Sequence, residues 1–139
     1  MKTTILLSTM FLMALALVPI RTQSQESLSP ALKVLYFHGN NRCLTCNNME
    51  KFTRELLKQE YQKELERGKI IFETFNFDDD ANKEIVKKYK VESSSLLLVK
   101  TKNGKEKVSN ITDIGFSYAK TDPERFKKEV RRKLNEKLL

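Results

Sequence analysis

The chain has 139 residues, of which 26 are Lys or Arg and 18 are Asp or Glu, so its formal net charge is +8. This length excludes a large multidomain protein and suits one domain with a single hydrophobic core. Most basic residues alternate with Glu, as on the solvated faces of helices. A nucleic-acid site would be expected to interleave aromatic side chains with the denser basic run at residues 124–139, and we expect no nucleic-acid partner.

The N-terminal 24 residues have the features of a secretory signal peptide. Lys2 precedes an uncharged run, residues 3–20, that is rich in Leu, Met and Ala, and polar residues follow. The run nearly reaches the roughly 20 residues that span a bilayer, so an uncleaved N-terminal membrane anchor is the alternative. Both interpretations predict export, to the periplasm or the outside of the cell. Removal of Lys2 and Arg21 leaves 24 basic and 18 acidic residues, a charge of +6, in a single domain at residues 25–139.

A strand and a long helix are the first elements predicted in this domain. The run LKVLYF at residues 32–37 is rich in β-forming residues and ends at HGNN, which predicts a strand and a turn. Apolar residues then recur at spacings near three and four, which predicts an amphipathic helix that ends near Arg67 and is closed by Gly68. These apolar residues are Met49, Phe52, Leu56, Tyr61 and Leu65.

A second strand and a second helix follow. The run at residues 69–77 alternates well enough to be a strand. Three consecutive Asp residues at 78–80 supply a helix start, and residues 82–91 form a short helix.

Two further strands and a last helix complete the chain. The runs at residues 94–101 and 105–114 predict strands joined by Asn-Gly at 103–104, which is the sequence of a tight hairpin turn. Thr121 or Asp122 is the predicted N-cap of the last helix, with Pro at its first position. Its apolar stripe is Phe126, Val130, Leu134 and Leu138.

The predicted order is therefore β-α-β-α-β-β-α in one α/β domain. Strands separated by helices are expected to run parallel through right-handed crossovers, and the terminal hairpin adds an antiparallel edge. The sequence thus predicts a central mixed four-stranded sheet with flanking helices.

The two Cys residues of the chain, Cys43 and Cys46, lie three positions apart between the first strand and the first helix. A bridge across so small a loop restricts the unfolded chain very little, so it is a poor structural staple. In an exported domain with no other Cys, dithiol chemistry explains the pair better than stability does. A structural disulfide and a metal site remain alternatives.

This order of elements, with CxxC before the first helix, resembles the thioredoxin-like family. The segment FNFDDDANKEIVKKYKVESSSLLLVKTKNGK is also similar to the family pattern of strand, Asp, short helix and Leu-rich strand, and the likeness covers about residues 31–137. More narrowly, YFHGNNRCLTCNNME with TFNFDDD resembles exported bacterial proteins of an arsenic-operon-linked nitroreductase subunit family. The resemblance implies a single thioredoxin-like domain and a redox-active Cys pair that needs no bound cofactor.

Two positions depart from the family pattern. Ser95 stands where the family usually has a cis-proline, and because a cis bond before a non-proline residue costs about 3–4 kcal/mol, we expect a trans peptide there. Phe37 stands where the family often has a buried acid that assists proton transfer.

Disulfide exchange needs one thiol that is a thiolate at working pH and a second thiol that resolves the mixed disulfide. Cys43 faces the free N–H groups and positive dipole end of the helix, so we assign it as the attacking thiol and Cys46 as the resolving one. Arg42 adds positive charge beside Cys43. His38 and Ser95 are auxiliary candidates, for proton transfer and for hydrogen bonding to a client or thiolate.

The predicted function is an exported thiol–disulfide oxidoreductase that exchanges electrons with a protein dithiol or disulfide, such as a membrane transporter of reducing equivalents. We expect a monomer. One alternative is a carrier of a soft metal or arsenite held by Cys43, Cys46 and His38. Another is a non-catalytic subunit of a membrane reductase complex.

Overall fold

A computed structural model of the protein describes residues 31–139, so the predicted signal segment lies outside the described residues. Within them, no helix is long and apolar enough to cross a membrane. The elements in chain order are β1 (Leu32–His38), α1 (Leu44–Glu60), α2 (Gln62–Glu66), β2 (Ile70–Asn76), a 3₁₀ helix (Asp80–Asn82), α3 (Lys83–Tyr89), β3 (Ser95–Lys102), β4 (Lys105–Asn110), α4 (Thr112–Tyr118) and α5 (Pro123–Leu138).

The four strands form one mixed sheet in the order β2-β1-β3-β4. β1 runs parallel to β2 and antiparallel to β3, and β4 pairs antiparallel with β3. The predicted α/β domain with a mixed four-stranded sheet and flanking helices is confirmed. The predicted order β-α-β-α-β-β-α is present with two additional helices, α2 and α4, and the Cys pair lies at the start of α1.

Side chains on the two faces of the central strand β1 enter two separate hydrophobic cores. Successive strand residues point to opposite faces, so Val34 and Tyr36 join the larger core, which buries residues of α1, α4 and α5. Leu35 and Phe37 join the smaller core, which is closed by α3. The sheet is therefore covered by helices on both faces, and the uninterrupted apolar run at residues 34–37 of β1 reflects burial on both sides.

The expectation that the third strand runs parallel to the first is wrong. β3 is antiparallel to β1. A parallel crossover has to carry the chain back over the full length of a strand before the next strand begins. Helix α3 is too short for this, because its seven residues rise only about 10 Å. A strand of that residue count is roughly 23 Å long, so the chain enters β3 near the end where it left β2.

The predicted continuous helix to Arg67 is interrupted at Tyr61. The Tyr61 backbone leaves the helical conformation, with φ −125° and ψ 23°, and separates α1 from α2. The Tyr61 ring is buried in the larger core and its hydroxyl donates a hydrogen bond to Asn135 Oδ1 at 2.7 Å. This anchoring under α5 accounts for the break. Gly68 then ends the segment with φ +66°, as predicted.

The prediction that residues 105–114 are one strand is wrong in its second half, where helix α4 begins. Asn110 Oδ1 accepts a hydrogen bond from Thr112 N at 3.0 Å, which turns the chain out of β4. Thr112 Oγ1 accepts from Leu96 N at 2.9 Å and fixes the start of α4 against β3. The β-branched residues Ile111, Thr112 and Ile114 are typical of strands, and only their tertiary contacts place them in and before a helix.

The last helix agrees with its sequence signals. Asp122 is the N-cap, because its carboxylate accepts a hydrogen bond from Arg125 N at 3.0 Å, and Pro123 is the first helical residue. Phe126, Val130 and Leu134 of the predicted stripe are fully buried in the larger core.

We predict that Gly115→Ala destabilises the fold. Gly115 lies in α4 against α1, and a Cβ there would overlap Met49 Sδ and Cγ, while Met49 itself is fully buried. Overpacking of this kind costs about 1–3 kcal/mol, measurable by urea denaturation. Ser117→Ala, two residues further along α4 at an exposed site, is the control and should leave the midpoint unchanged. An unchanged midpoint for Gly115→Ala as well would mean that Met49 repacks freely.

Candidate redox site

Cys43 and Cys46 are joined by a disulfide at the start of α1, and their Cα atoms are 5.1 Å apart. Cys43 is the N-cap of α1, with an extended backbone, and its Sγ accepts a hydrogen bond from Cys46 N at 3.1 Å. The first turn of α1 contains no acidic residue, so nothing in that turn offsets the positive end of the helix dipole. The helix start predicted from the sequence is therefore confirmed.

The two sulfur-bearing residues differ in exposure. Cys43 is exposed, whereas Cys46 is only 5% exposed. The intervening Leu44 is 62% exposed and extends the accessible surface beside Cys43. The site therefore has one Cys that a large partner can reach and one that it cannot, which is the difference expected of an attacking and a resolving thiol.

Tyr36 is the buried polar side chain beneath this pair, and sequence reasoning missed it as a site residue. It is fully buried, and its hydroxyl donates a hydrogen bond to the Cys46 carbonyl oxygen at 2.8 Å. Burial raises the pKa of the Tyr36 hydroxyl, and the side chains of Arg42 and Ser94 only partly oppose this. The hydroxyl therefore stays protonated and acts as a donor near neutral pH.

The strand register places Phe37, which stands where the family often has a buried acid, on the face of the sheet away from α1. Phe37 is stacked there on Phe75 with ring centroids 5.3 Å apart. Because strand residues alternate in direction, a shift of one position exchanges the faces. The side chain that faces α1 and Cys46 is therefore Tyr36.

Arg42, predicted to add positive charge beside Cys43, is part of an ion-pair network. Its Nη2 lies 2.6 Å from Glu50 Oε2, and Arg54 Nη2 lies 2.8 Å from Glu50 Oε1. The Arg42 Cζ is 5.6 Å from the centroid of the Tyr36 ring. Sequence reasoning missed Glu50, although its position four residues after Cys46 places both on one helix face.

The ionisation of Glu50 contributes to stability. Burial favours its neutral form, but hydrogen bonds from Arg54 and Arg42 outweigh this and lower the pKa of Glu50 below its usual value of 4.5. Partial burial likewise disfavours the charged form of Arg42, yet the contacts with Glu50 and Tyr36 raise the Arg42 pKa overall. Because the pKa of Glu50 is lower in the folded state, its contribution is present above pH 4.5 and is lost as the pH falls through the folded value.

We therefore expect the free energy of unfolding of Glu50→Gln to depend less on pH in the acid range than that of the unmodified protein. The substitution should cost about 1–2 kcal/mol at pH 7, and the difference from the unmodified protein should shrink as the pH falls below 4.5. Urea denaturation of the oxidised protein at several pH values measures this. Glu73→Gln, at an exposed β2 position without an ion pair among the described residues, is the control. A difference that stays constant down to acid pH would contradict the assignment.

The auxiliary candidates His38 and Ser95 are already engaged in local contacts. His38 ends β1, and its Nδ1 lies 3.0 Å from the Gly39 carbonyl oxygen. The Ser95 hydroxyl donates to the Ser93 carbonyl at 2.8 Å, and Ser95 is 8% exposed. The described residues contain no cis peptide bond, so the trans peptide expected before Ser95 is confirmed.

A metal site was the alternative use of this region. Across residues 31–139, no three His, Cys, Asp or Glu side chains come together in a group that would hold a metal ion. The proposed ligand set of Cys43, Cys46 and His38 is thus not assembled in this disulfide form, and the carrier alternative stays a prediction.

Comparison with known proteins finds no family model and no curated protein that matches the chain. Among solved structures, the chain is similar to one described as a malarial protein, with 21% identity, a TM-score of 0.40, and coverage of 58% of this chain and 80% of that one. It is also similar to a thioredoxin from Thermus thermophilus, with 16% identity, a TM-score of 0.44, and coverage of 73% and 72%. None of these matches supports the narrower resemblance to the arsenic-operon-linked family, which stays a prediction.

Proposed function

We propose that this protein is an exported thiol–disulfide oxidoreductase that acts through Cys43 and Cys46. The observation that supports this most directly is the geometry of Cys43, which is exposed and accepts a hydrogen bond from Cys46 N at the start of α1. An N–H donor and the helix dipole stabilise a thiolate more than a thiol. A sulfur used only to bridge two segments has no need of such a position.

The exchange uses the two sulfurs in sequence. In the reduced protein, the Cys43 thiolate attacks one sulfur of a client disulfide, forms a mixed disulfide and releases the other client sulfur as a thiolate. Cys46 then loses its proton and attacks Cys43 Sγ. This forms the Cys43–Cys46 disulfide, releases the second client thiolate, and transfers two electrons to the client. The same steps in reverse oxidise a client dithiol.

The partners and the location belong to the same proposal. Two electrons have to be restored to the Cys43–Cys46 disulfide, or removed from the dithiol, by a second protein that itself carries a dithiol or disulfide. A membrane protein that carries reducing equivalents is a suitable partner for a domain exported behind the signal-like segment at residues 1–24. No bound cofactor is needed, because both electrons are held by the two sulfurs.

Reduction of insulin by dithiothreitol, with this protein as catalyst, tests the proposed activity. The unmodified protein should accelerate insulin precipitation, and a variant with both Cys43→Ser and Cys46→Ser should not. The equilibrium constant with glutathione gives the reduction potential, which indicates whether the protein reduces or oxidises its clients. It also identifies a structural disulfide, because such disulfides have potentials below about −300 mV and resist reduction by the glutathione pool. A protein that does not accelerate insulin reduction and has a potential in that range would instead contain a structural disulfide.

The two alternatives give different results in matched experiments. A soft-metal or arsenite carrier predicts tight, stoichiometric binding of Cu(I), Zn(II) or trivalent arsenic to the reduced protein, with no catalysis of insulin reduction. A non-catalytic subunit of a membrane reductase complex predicts that replacing both Cys residues leaves the function of the complex intact.

A further inference from the structure

We propose that Tyr36, Arg42 and Glu50 are positioning residues that set how readily the Cys43–Cys46 disulfide is reduced, with Arg42 favouring reduction and Glu50 opposing it. This inference deepens the proposed function and rests on it. The three side chains belong to the end of β1, the loop before α1 and the second turn of α1. Tyr36 donates a hydrogen bond to the Cys46 carbonyl, Arg42 lies over the Tyr36 ring, and Glu50 pairs with Arg42.

The first contact is between Tyr36 and the first turn of α1. The Cys46 carbonyl accepts the Tyr36 hydroxyl at 2.8 Å, and both residues are buried. The Tyr36 hydroxyl, which belongs to β1, thus holds the first turn of α1 against the sheet. It also adds the positive end of an O–H dipole below the buried sulfur residue, in an environment where such dipoles are poorly screened.

The second contact is the placement of the Arg42 charge. Its guanidinium lies between the Tyr36 ring and Glu50, with a 5.6 Å distance to the ring centroid and 2.6 Å to Glu50 Oε2. The Arg42 and Glu50 side chains are only 25% and 20% exposed, so water screens them less than an open surface pair. Glu50 therefore holds the cation near the cysteines and at the same time offsets its charge.

The reduction that these charges influence is a two-electron step. Two glutathione thiols lose two electrons and two protons and become oxidised glutathione, and the Cys43–Cys46 disulfide gains them and becomes two thiols. When Cys43 is present as a thiolate, one of these protons passes to solvent. A nearby cation stabilises the thiolate but not the neutral disulfide, so it shifts the equilibrium toward the reduced protein, and a nearby anion does the opposite.

The equilibrium constant with glutathione, measured on the purified protein, tests the proposal. Arg42→Gln should lower the reduced fraction and Glu50→Gln should raise it, each by about threefold in the equilibrium constant, as for a partly screened charge at several ångströms. Arg42→Lys, which keeps the charge, should stay close to the unmodified value. Arg131→Gln is the matched control, because Arg131 forms an equivalent pair with Glu60 at the far end of α1, and it should cause no shift.

Tyr36→Phe tests the third residue without changing any charge. The hydrogen bond to Cys46 is lost while the ring against Arg42 is kept, and the effect of Arg42→Gln should become smaller in this background, because residues that share contacts are not additive. If Arg42→Gln shifts the equilibrium constant equally with and without Tyr36→Phe, Tyr36 has no part in setting it. Shifts of Arg42→Gln and Glu50→Gln in the same direction, or an equal shift for Arg131→Gln, would overturn it. These measurements need no client, so opposite shifts without insulin reduction would leave the inference standing and reject the proposed function alone.

Discussion

Replacing Cys43 with Ser is expected to abolish disulfide exchange completely, whereas replacing Cys46 with Ser should convert the protein into a trap for its clients. Cys43 is exposed and Cys46 is 5% exposed, so only Cys43 is placed to attack a folded client. The Cys46→Ser variant keeps the nucleophile and loses the group that resolves the mixed disulfide. Mixed disulfides should therefore accumulate and be visible on a non-reducing gel.

Alkylation of the reduced, unmodified protein supplies the second half of this test. Cys43 should react first near neutral pH, and faster than an ordinary free thiol, because its sulfur lies at the N-terminus of α1 and faces Cys46 N. A metal carrier predicts another pattern, in which either substitution weakens ion binding to a similar extent and neither variant traps a protein. Equal alkylation of the two residues, with no trapped species from Cys46→Ser, would reject the exchange mechanism.

Phe126→Ala is expected to cause the largest loss of stability, about 3–5 kcal/mol. The Phe126 ring is fully buried in the larger core and lies 6.4 Å from the Phe52 ring, measured between centroids. Truncation removes the apolar surface that docks α5 onto α1 and leaves a cavity that the sheet prevents from closing fully. Because domains of this size are stable by about 5–15 kcal/mol, a large share of the total would be lost.

Phe116→Ala is the matched control for this substitution. Phe116 is also a Phe on a helix of the same face, but it is 53% exposed, so its truncation removes little buried surface. Urea denaturation of the oxidised forms should show a large fall in midpoint for Phe126→Ala and a small one for Phe116→Ala. Comparable losses would mean that Phe116 is covered in solution, for example by another copy or a partner.

Most of the secondary structure could be predicted from local sequence, for identifiable reasons. The Asn103–Gly104 turn has φ of 52° and 72° at its two residues, which Asn and Gly tolerate better than other residues. Asp122 caps α5 through a contact three residues away. The failures occurred at α4 and at the Tyr61 break, where a buried side chain or a bond to a distant strand outweighs the local pattern.

The sequence by itself determined the α/β class, the position of the Cys pair at the start of a helix, and the stripe by which α5 docks, because each depends on residues within a few positions of one another. Only the tertiary structure decided the direction of β3, since a short α3 leaves the chain at one end of the sheet. It likewise placed Tyr36 beneath Cys46 and Glu50 beside Arg42. Hydrogen bonds and ion pairs between separate elements depend on strand register and helix packing, so a local sequence pattern does not predict them.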